Sequence, residues 1–225
     1  MSWRVTPDPR QFTEAVEWFR RRVPVTEAEF ERLSMRARSR AFNVSEIMQL
    51  DLTLEVWEAL DHAIAHGTGY REFATAVSER LQTAWGRQDS GRIEVIFRTN
   101  VQSAYAAGRL KQMSDPAVLA ARPYWLYDAV LDDRTTDMCR EYNGTVLLAD
   151  DPWWHSRYPP NHWKCRSGVR TLTRAAAERR GVTAVAPATE PDADFRTRPS
   201  LEDWQPDLRK YPPELRDLAR ARIRR

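Results

Sequence analysis

Cys139, His155, His162 and Cys165 hold most of the metal-binding and nucleophilic capacity of this chain. They fall in two loops, "DDRTTDMCREYNG" (132–144) and "DDPWWHSRYPPNHWKC" (150–165). Zinc takes thiolate and imidazole ligands in a tetrahedral array, and the H-x-x-C spacing of His162 and Cys165 lets one turn offer two of them. Cys139 is the third candidate ligand, from the other loop, and the fourth is His155, an aspartate or water. A single H-x-x-C with one distant cysteine is less specific than paired CxxC knuckles, so a metal-free polar cluster or a buried thiol pair competes with structural zinc.

Catalysis asks for more. A zinc hydrolase wants an open coordination position and a general base, and a nucleotide deaminase wants H-x-E with P-C-x-x-C, which this sequence lacks. A thiol nucleophile, Cys139 or Cys165 against His162, is conceivable. It gains no support from a glycine-rich phosphate loop, a nucleophile elbow or a kinase-like set of motifs. The chain therefore reads as a non-enzyme. Trp153, Trp154 and Trp163 flank the loops and are expected to form an apolar wall rather than a platform for nucleic-acid bases. His62 and His66, one helical turn apart, have the geometry to bind a metal but no carboxylate or cysteine at useful spacing, so they read as solvated or capping residues.

The chain is long enough to bury a core. Of its 225 residues 42% are apolar and 30% charged, so most of it should fold, while 14 prolines against 8 glycines imply rigid connections. Two cysteines cannot build a disulfide framework. No apolar run is long enough to span a bilayer, and "MSWRVTPDPRQF" lacks the apolar stretch of a signal peptide, so a reducing cytoplasm is the expected place of synthesis. The net charge is only +3, but "RKYPPELRDLARARIRR" carries seven basic residues against two acidic ones, so an electrostatic partner would be met there.

Helical periodicity dominates the first half. "DPRQFTEAVEWFRRRV" sets Phe12, Val16, Phe19 and Val23 on one face, with Pro24 ending it, and "TEAEFERLSMRARSRAF" opens with a capping box, Thr26 and Glu29, before a stripe of Phe30, Leu33, Ala37 and Ala41. A third helix carries Val56, Trp57, Leu60 and Ile64 up to Gly67, and a fourth carries Phe73, Val77, Leu81 and Trp85 up to Gly86. A longer helix follows with Ile93, Ile96, Phe97, Val101 and Ala104 on its buried face. "PYWLYDAVL", "GTVLLA" and "SGVRTLT" then read as strands, and Thr173 caps a short helix ended by Gly181. From residue 182 onward the chain is rich in proline and acidic residues without a sustained period, an extended arm that ends in a short basic helix.

Taken in order, "FRTNVQSAYAAGR", "WLYDAVLDDRTTDMCREYNGTVLLADD" and "YPPNHWKCRS" resemble the phage Mu F-like minor head protein family, also called the phage head morphogenesis domain, over about residues 92–172. The pattern is a helix with Arg98, Thr99 and a terminal Arg109, a loop with Asp132, Asp133, Thr136, Cys139 and Gly144, and an end with Pro160, His162, Cys165 and Arg166. Many relatives read C-R-C at that end. This chain has Ser167, so any metal would rest mainly on Cys139, His162 and Cys165.

The resemblance implies a minor, non-enzymatic component of the head of a tailed phage or phage-derived particle. Such a protein is assembled in the host cytoplasm and resides in the virion, in the capsid interior or at the portal vertex. The implied partners are further copies in an oligomeric assembly, the portal protein, the major capsid protein and packaged DNA, with no membrane. Some relatives carry toxin domains fused behind this module, for which no room is expected here.

Residues and resemblance together predict an α+β fold in three parts. These are a helical region over 1–86, a core of one long helix on a small sheet with long loops over 87–181, and an extended arm with its basic helix over 182–225. Arg216, Arg220, Arg222, Arg224 and Arg225 are the candidate contacts to portal or DNA. Rival readings are a zinc-dependent hydrolase or nuclease acting on packaged DNA, and a plain nucleic-acid-binding module.

Overall fold

A computed structural model describes residues 12–33, 38 and 41–199. Helices come first: α1 (Thr13–Arg20), α2 (Glu27–Glu31), α3 (Leu50–His66), α4 (Tyr70–Trp85) and α5 (Ser90–Met113), with β1 (Val23–Pro24) and β2 (Ala41–Phe42) forming a two-residue parallel pair between them. After α6 (Pro116–Ala121) come β3 (Tyr124–Asp128), α7 (Asp137–Tyr142), β4 (Val146–Leu148), α8 (Trp153–Arg157), β5 (Gly168–Leu172) and α9 (Arg174–Arg180), then one 3₁₀ turn, Ala193–Phe195. The larger sheet is antiparallel with order β4-β3-β5, Trp125 facing Leu147 on one side and Thr171 on the other. The architecture is α+β, as the sequence predicts.

The expected stripes of α3 and α4 face inward, and both helices end on a left-handed glycine, Gly67 and Gly86 (φ 68° and 63°), a conformation open to glycine at little cost. They pack with α1 and the first half of α5 around Phe19, Phe42, Trp57, Leu60 and Phe73. The second helix is shorter than predicted. Its capping box is present, but the helix stops at Glu31, and Arg38 donates to the carbonyls of Glu31 and Leu33. Ala41 belongs to β2 because its neighbourhood satisfies it there: the Arg22 guanidinium donates to its carbonyl at 2.6 and 3.0 Å, and Val25 N–H donates to Phe42 O. Ala37 and the basic C-terminal stretch lie outside the described residues. Helix α1 also ends before Val23, which pairs in β1 instead.

Helix α5 serves two cores. Ile93 and Ala104 belong to the helical one, whereas Ala106, Leu110 and Met113 meet Trp125, Tyr127, Leu147 and Val169 on one face of the sheet. The alternate residues, Tyr124, Leu126 and Val146, pack on Ala177 of α9 at the opposite face. Residues 182–199 form no free arm: they lie against the second core and bond to it along their length, since Thr183 N–H donates to Val146 O and Asp192 N–H to Asn161 O.

Where α5 crosses α1 the backbones nearly touch. A Cβ on Gly108 would stand 2.7 Å from Ala15 N and 2.9 Å from Phe12 Cζ. Alanine is the better helix former by about 1 kcal/mol, but forcing the helices apart costs about 1–3 kcal/mol. Gly108→Ala should therefore lower the urea midpoint with an unchanged slope, and an equal or higher midpoint would show that the crossing yields freely.

Candidate metal centre

Two loops are drawn together below the end of β3. Thr136 caps α7 by accepting from Cys139 N–H at 3.3 Å, which turns the Cys139 side chain inward on the first helical turn. In the second loop Pro159–Pro160 is cis, and Cys165 N–H donates to His162 O at 3.2 Å, so His162 and Cys165 close one tight turn. The ligand atoms of Cys139, His162 and Cys165 lie within 4.8 Å of one another. Both cysteines are free, at 2% and 4% exposure, and His162 is half-buried.

His162 and Cys139 each have further partners that fix their orientation. His162 Nε2 is 3.2 Å from Cys139 Sγ and 3.3 Å from Thr136 Oγ1, while its Nδ1 lies 2.8 Å from Trp163 O. Donation from Nδ1 to that carbonyl fixes the ring with Nε2 toward the cluster, where the protonated ring donates to Cys139 and the neutral ring would offer a lone pair to a metal. Cys139 Sγ also receives the Ser167 hydroxyl at 3.3 Å and stands 3.5 Å from the Tyr127 hydroxyl. That phenol accepts from Asn161 Nδ2 at 2.9 Å, so its own proton is free for the sulfur.

The electrostatics follow from these contacts. The Cys139 thiol is held well below its usual range, first by donation from Cys165 and then by His162, Ser167 and Thr136, against the opposing effect of burial. Cys165 is pushed up by the same bond to Cys139 and by burial, and His162 is raised by its bond to Cys139. Burial raises the Tyr127 phenol far above its usual range. One thiolate is thus favoured at a site built for two sulfurs and one imidazole, a donor set that suits zinc.

The surrounding motif residues are sorted by the same geometry. Asp132 joins the loops: both its oxygens accept from Arg166, each at 2.6 Å, and Arg134 N–H donates to it at 2.9 Å. Asn143 Oδ1 accepts from Ala129 N–H beside Gly144, whose φ of 85° makes the turn into β4. Pro160 is buried, Asp133 exposed. On α5, Arg98 pairs with Glu94 at 2.7 Å, Thr99 Oγ1 is buried without a hydrogen-bond partner, and Arg109 is exposed two turns beyond Gln102, whose amide donates to Ser167 O.

The structure does not bring His155 to the cluster. It is exposed on α8, and its carbonyl accepts from Arg198 N–H, so the expectation of a fourth ligand there is corrected: burial of Trp153 and Trp154 at the start of α8 orients the helix and leaves His155 on its outer face. Trp153 and Trp154 form the expected apolar wall, but Trp163 is 53% exposed and meets Phe195 edge-on. His62 and His66 stack at 4.3 Å on the exposed face of α3, with His66 Nδ1 bonded to His62 O, a helix-surface role. Arg216, Arg220, Arg222, Arg224 and Arg225 lie outside the described residues.

Sequence reading missed Ser167, Tyr127 and Asn161 as partners of the cluster. The available signal was position: Ser167 stands where the family pattern has its last cysteine. No helix among the described residues is long and apolar enough to cross a membrane.

The family model for Phage Mu protein F like protein matches residues 55–170 and so takes in most of α3 and all of α4 as well as the site. A putative capsid assembly protein F of Escherichia phage Mu is 33% identical over 187 residues, 75% of this chain and 42% of that protein. A Mu-like prophage FluMu F protein of Haemophilus influenzae is 35% identical over 159 residues, 65% of this chain and 38% of its own length. This chain therefore spans about two fifths of the length of these curated relatives. No solved structure is significantly similar.

The Asp132 carboxyl is held far below the usual carboxylate range, chiefly by Arg166. A depressed carboxyl stabilises the fold above its unfolded value, about 4, and that contribution is lost as pH falls toward the folded value. Thermal melts between about pH 5 and 2 should drop more steeply for the native chain than for Asp132→Asn; parallel curves would mean that the ion pair contributes nothing to stability.

Proposed function

Because the chain belongs to the Phage Mu protein F like family, we propose that it is a minor head protein of a tailed phage or phage-derived particle, acting in head assembly and in DNA packaging or delivery. The observation that carries this reading is the match to proteins named capsid assembly protein F and FluMu F, reaching from the helical layer through the cysteine-histidine loops. In this reading residues 87–181 form the module that carries the site, 1–86 a helical docking layer, and 182–225 a terminal segment whose arginines meet acidic protein or DNA phosphates. The partners are the portal protein, the major capsid protein and neighbouring copies, and the place of action is the virion.

The cluster acts by holding. Cys139, His162 and Cys165 bind a structural zinc ion, supported by three convergent donors, the outward tie from His162 Nδ1 to Trp163 O, and hydroxyls from Ser167 and Tyr127 beside Cys139. When bound, the ion cross-links the two loops through their side chains. Burial of both sulfurs favours this role over turnover, which asks for an accessible metal face.

The test is incorporation. Mass spectrometry of purified heads from a producing host should find the native chain, and should find Cys165→Ala and His162→Ala reduced several-fold because less of each variant is folded. Heads containing both variants at native levels would refute the role of the cluster. Complete heads formed with the chain absent from them would refute the head-protein reading itself.

A further inference from the structure

Residues 183–198 lie across side chains at the edge of the aromatic core that have the chemistry of a peptide-binding groove. Its floor is Tyr142 and Trp153, packed edge-to-face at 5.0 Å, and the Arg157 guanidinium stands over the Trp153 ring at 5.8 Å. From this floor three side chains reach three consecutive carbonyls. Trp153 Nε1 donates to Pro187 O at 2.8 Å, Arg157 donates to Ala188 O and Thr189 O, each at 2.9 Å, and the Tyr142 hydroxyl also donates to Thr189 O. Arg157 pairs with Glu190, Thr189 Oγ1 donates to Glu141, and Pro191 is buried.

Aromatic side chains with polar tips, reading the carbonyls of a proline-containing segment without regular hydrogen bonding of its own, are the means by which polyproline-type peptides are recognised. Pro187 and Pro191 restrict the residues before them to extended backbone, so the ligand is pre-shaped and loses little entropy on docking. The carbonyl contacts accept any such segment, while Glu190 on Arg157 supplies charge selectivity.

The segment is tied to its own molecule mainly by polar bonds rather than by buried apolar area. Ala188, Thr189 and Glu190 are exposed, Val185 is 87% exposed and Val182 45% exposed, and the segment leaves α9 through Gly181 at φ 93°. Besides polar bonds, only Ala186 against the aromatic core, the buried Pro191 and the edge of Phe195 on Trp163 hold it, and segments with so little buried apolar area are among the parts of a fold that open more readily. The groove, by contrast, is anchored in the aromatic core.

We propose that this groove is an exchangeable peptide-recognition site, and that its occupant in trans is the same segment, residues 183–191, of a second copy of this chain. Every copy carries both halves, with the same Glu190–Arg157 and Thr189–Glu141 complementarity, so exchange satisfies every donor that the internal arrangement satisfies. Residues 200–225 follow the segment, so exchange hands the basic terminus of one copy to its neighbour. The inference stands independently of the head-protein reading.

The experiment uses the full chain and a fluorescent peptide of residues 182–199. In the native chain the tethered segment competes at an effective concentration of about millimolar, so the peptide should bind at least about tenfold more tightly to full-length Thr189→Val/Glu190→Ala, whose own segment is weakened. Binding should be saturable at one peptide per chain. Adding Trp153→Phe to that background, which removes the indole donor, should weaken it about fivefold; Arg157→Lys, which loses the fork, should do the same and serves if the tryptophan variant fails to fold. Light scattering should show dimers of the native chain at high concentration that excess peptide dissolves. Absence of saturable binding to the folded weakened variant, or binding indifferent to both groove substitutions, would overturn the site. Peptide binding by a chain that stays monomeric at every concentration would overturn the second copy as its occupant.

Discussion

The meeting of Cys139 Sγ, Cys165 Sγ and His162 Nε2 is the constraint on which the second half of this molecule depends. Between β3 and β5 the chain spends most of its length in short helices and turns, and the three-stranded sheet supplies few ladder bonds to organise them. Long connections of this kind must be closed by side chains if they are to hold one shape. The cluster closes them from inside, and the Asp132–Arg166 pair closes the same two loops from the surface. Removing one member would leave the others buried and poorly paired, which is why such networks stand or fall together.

Helix α5 gives that closed unit something to lean on. Its first half is built into the helical layer, its second half packs on both α1 and the aromatic core, and between them Gln102 bonds to the carbonyl of Ser167, the residue whose hydroxyl donates to Cys139. The final described segment, 183–198, completes the aromatic core from outside with polar contacts and so adds cover without adding much apolar area.

Much of this was legible in the residues. The apolar periods of α3 and α4 with their terminal glycines, the three strands and the Thr173 cap follow from local preference, and local preference decides them. What the sequence hid depends on distant partners. Ala41 continues a helical stripe on paper, yet its carbonyl is taken by Arg22, nineteen residues away, and the chain extends there instead. Cys139, His162 and Cys165 stood out by residue type, whereas Ser167, Tyr127 and Asn161 carry no such mark and join the site only through the register of β3 and the turn at 158–167. His155 shared the chemistry of a ligand but not the direction, because α8 orients by its tryptophans. Residues 182–199 have no period because their hydrogen bonds go mainly to the core they cross rather than to one another.

In the reading proposed above, Cys139, His162 and Cys165 clamp the loops around one zinc ion. Zinc-edge X-ray absorption on the purified full chain, paired with hydrogen exchange before and after chelation, tests it most directly. The account predicts one zinc per chain bound through two sulfurs and one nitrogen, and loss of amide protection across residues 129–145 and 158–167 when the metal is removed. A chain that binds no zinc, or that keeps the same protection in both loops after chelation, would contradict it.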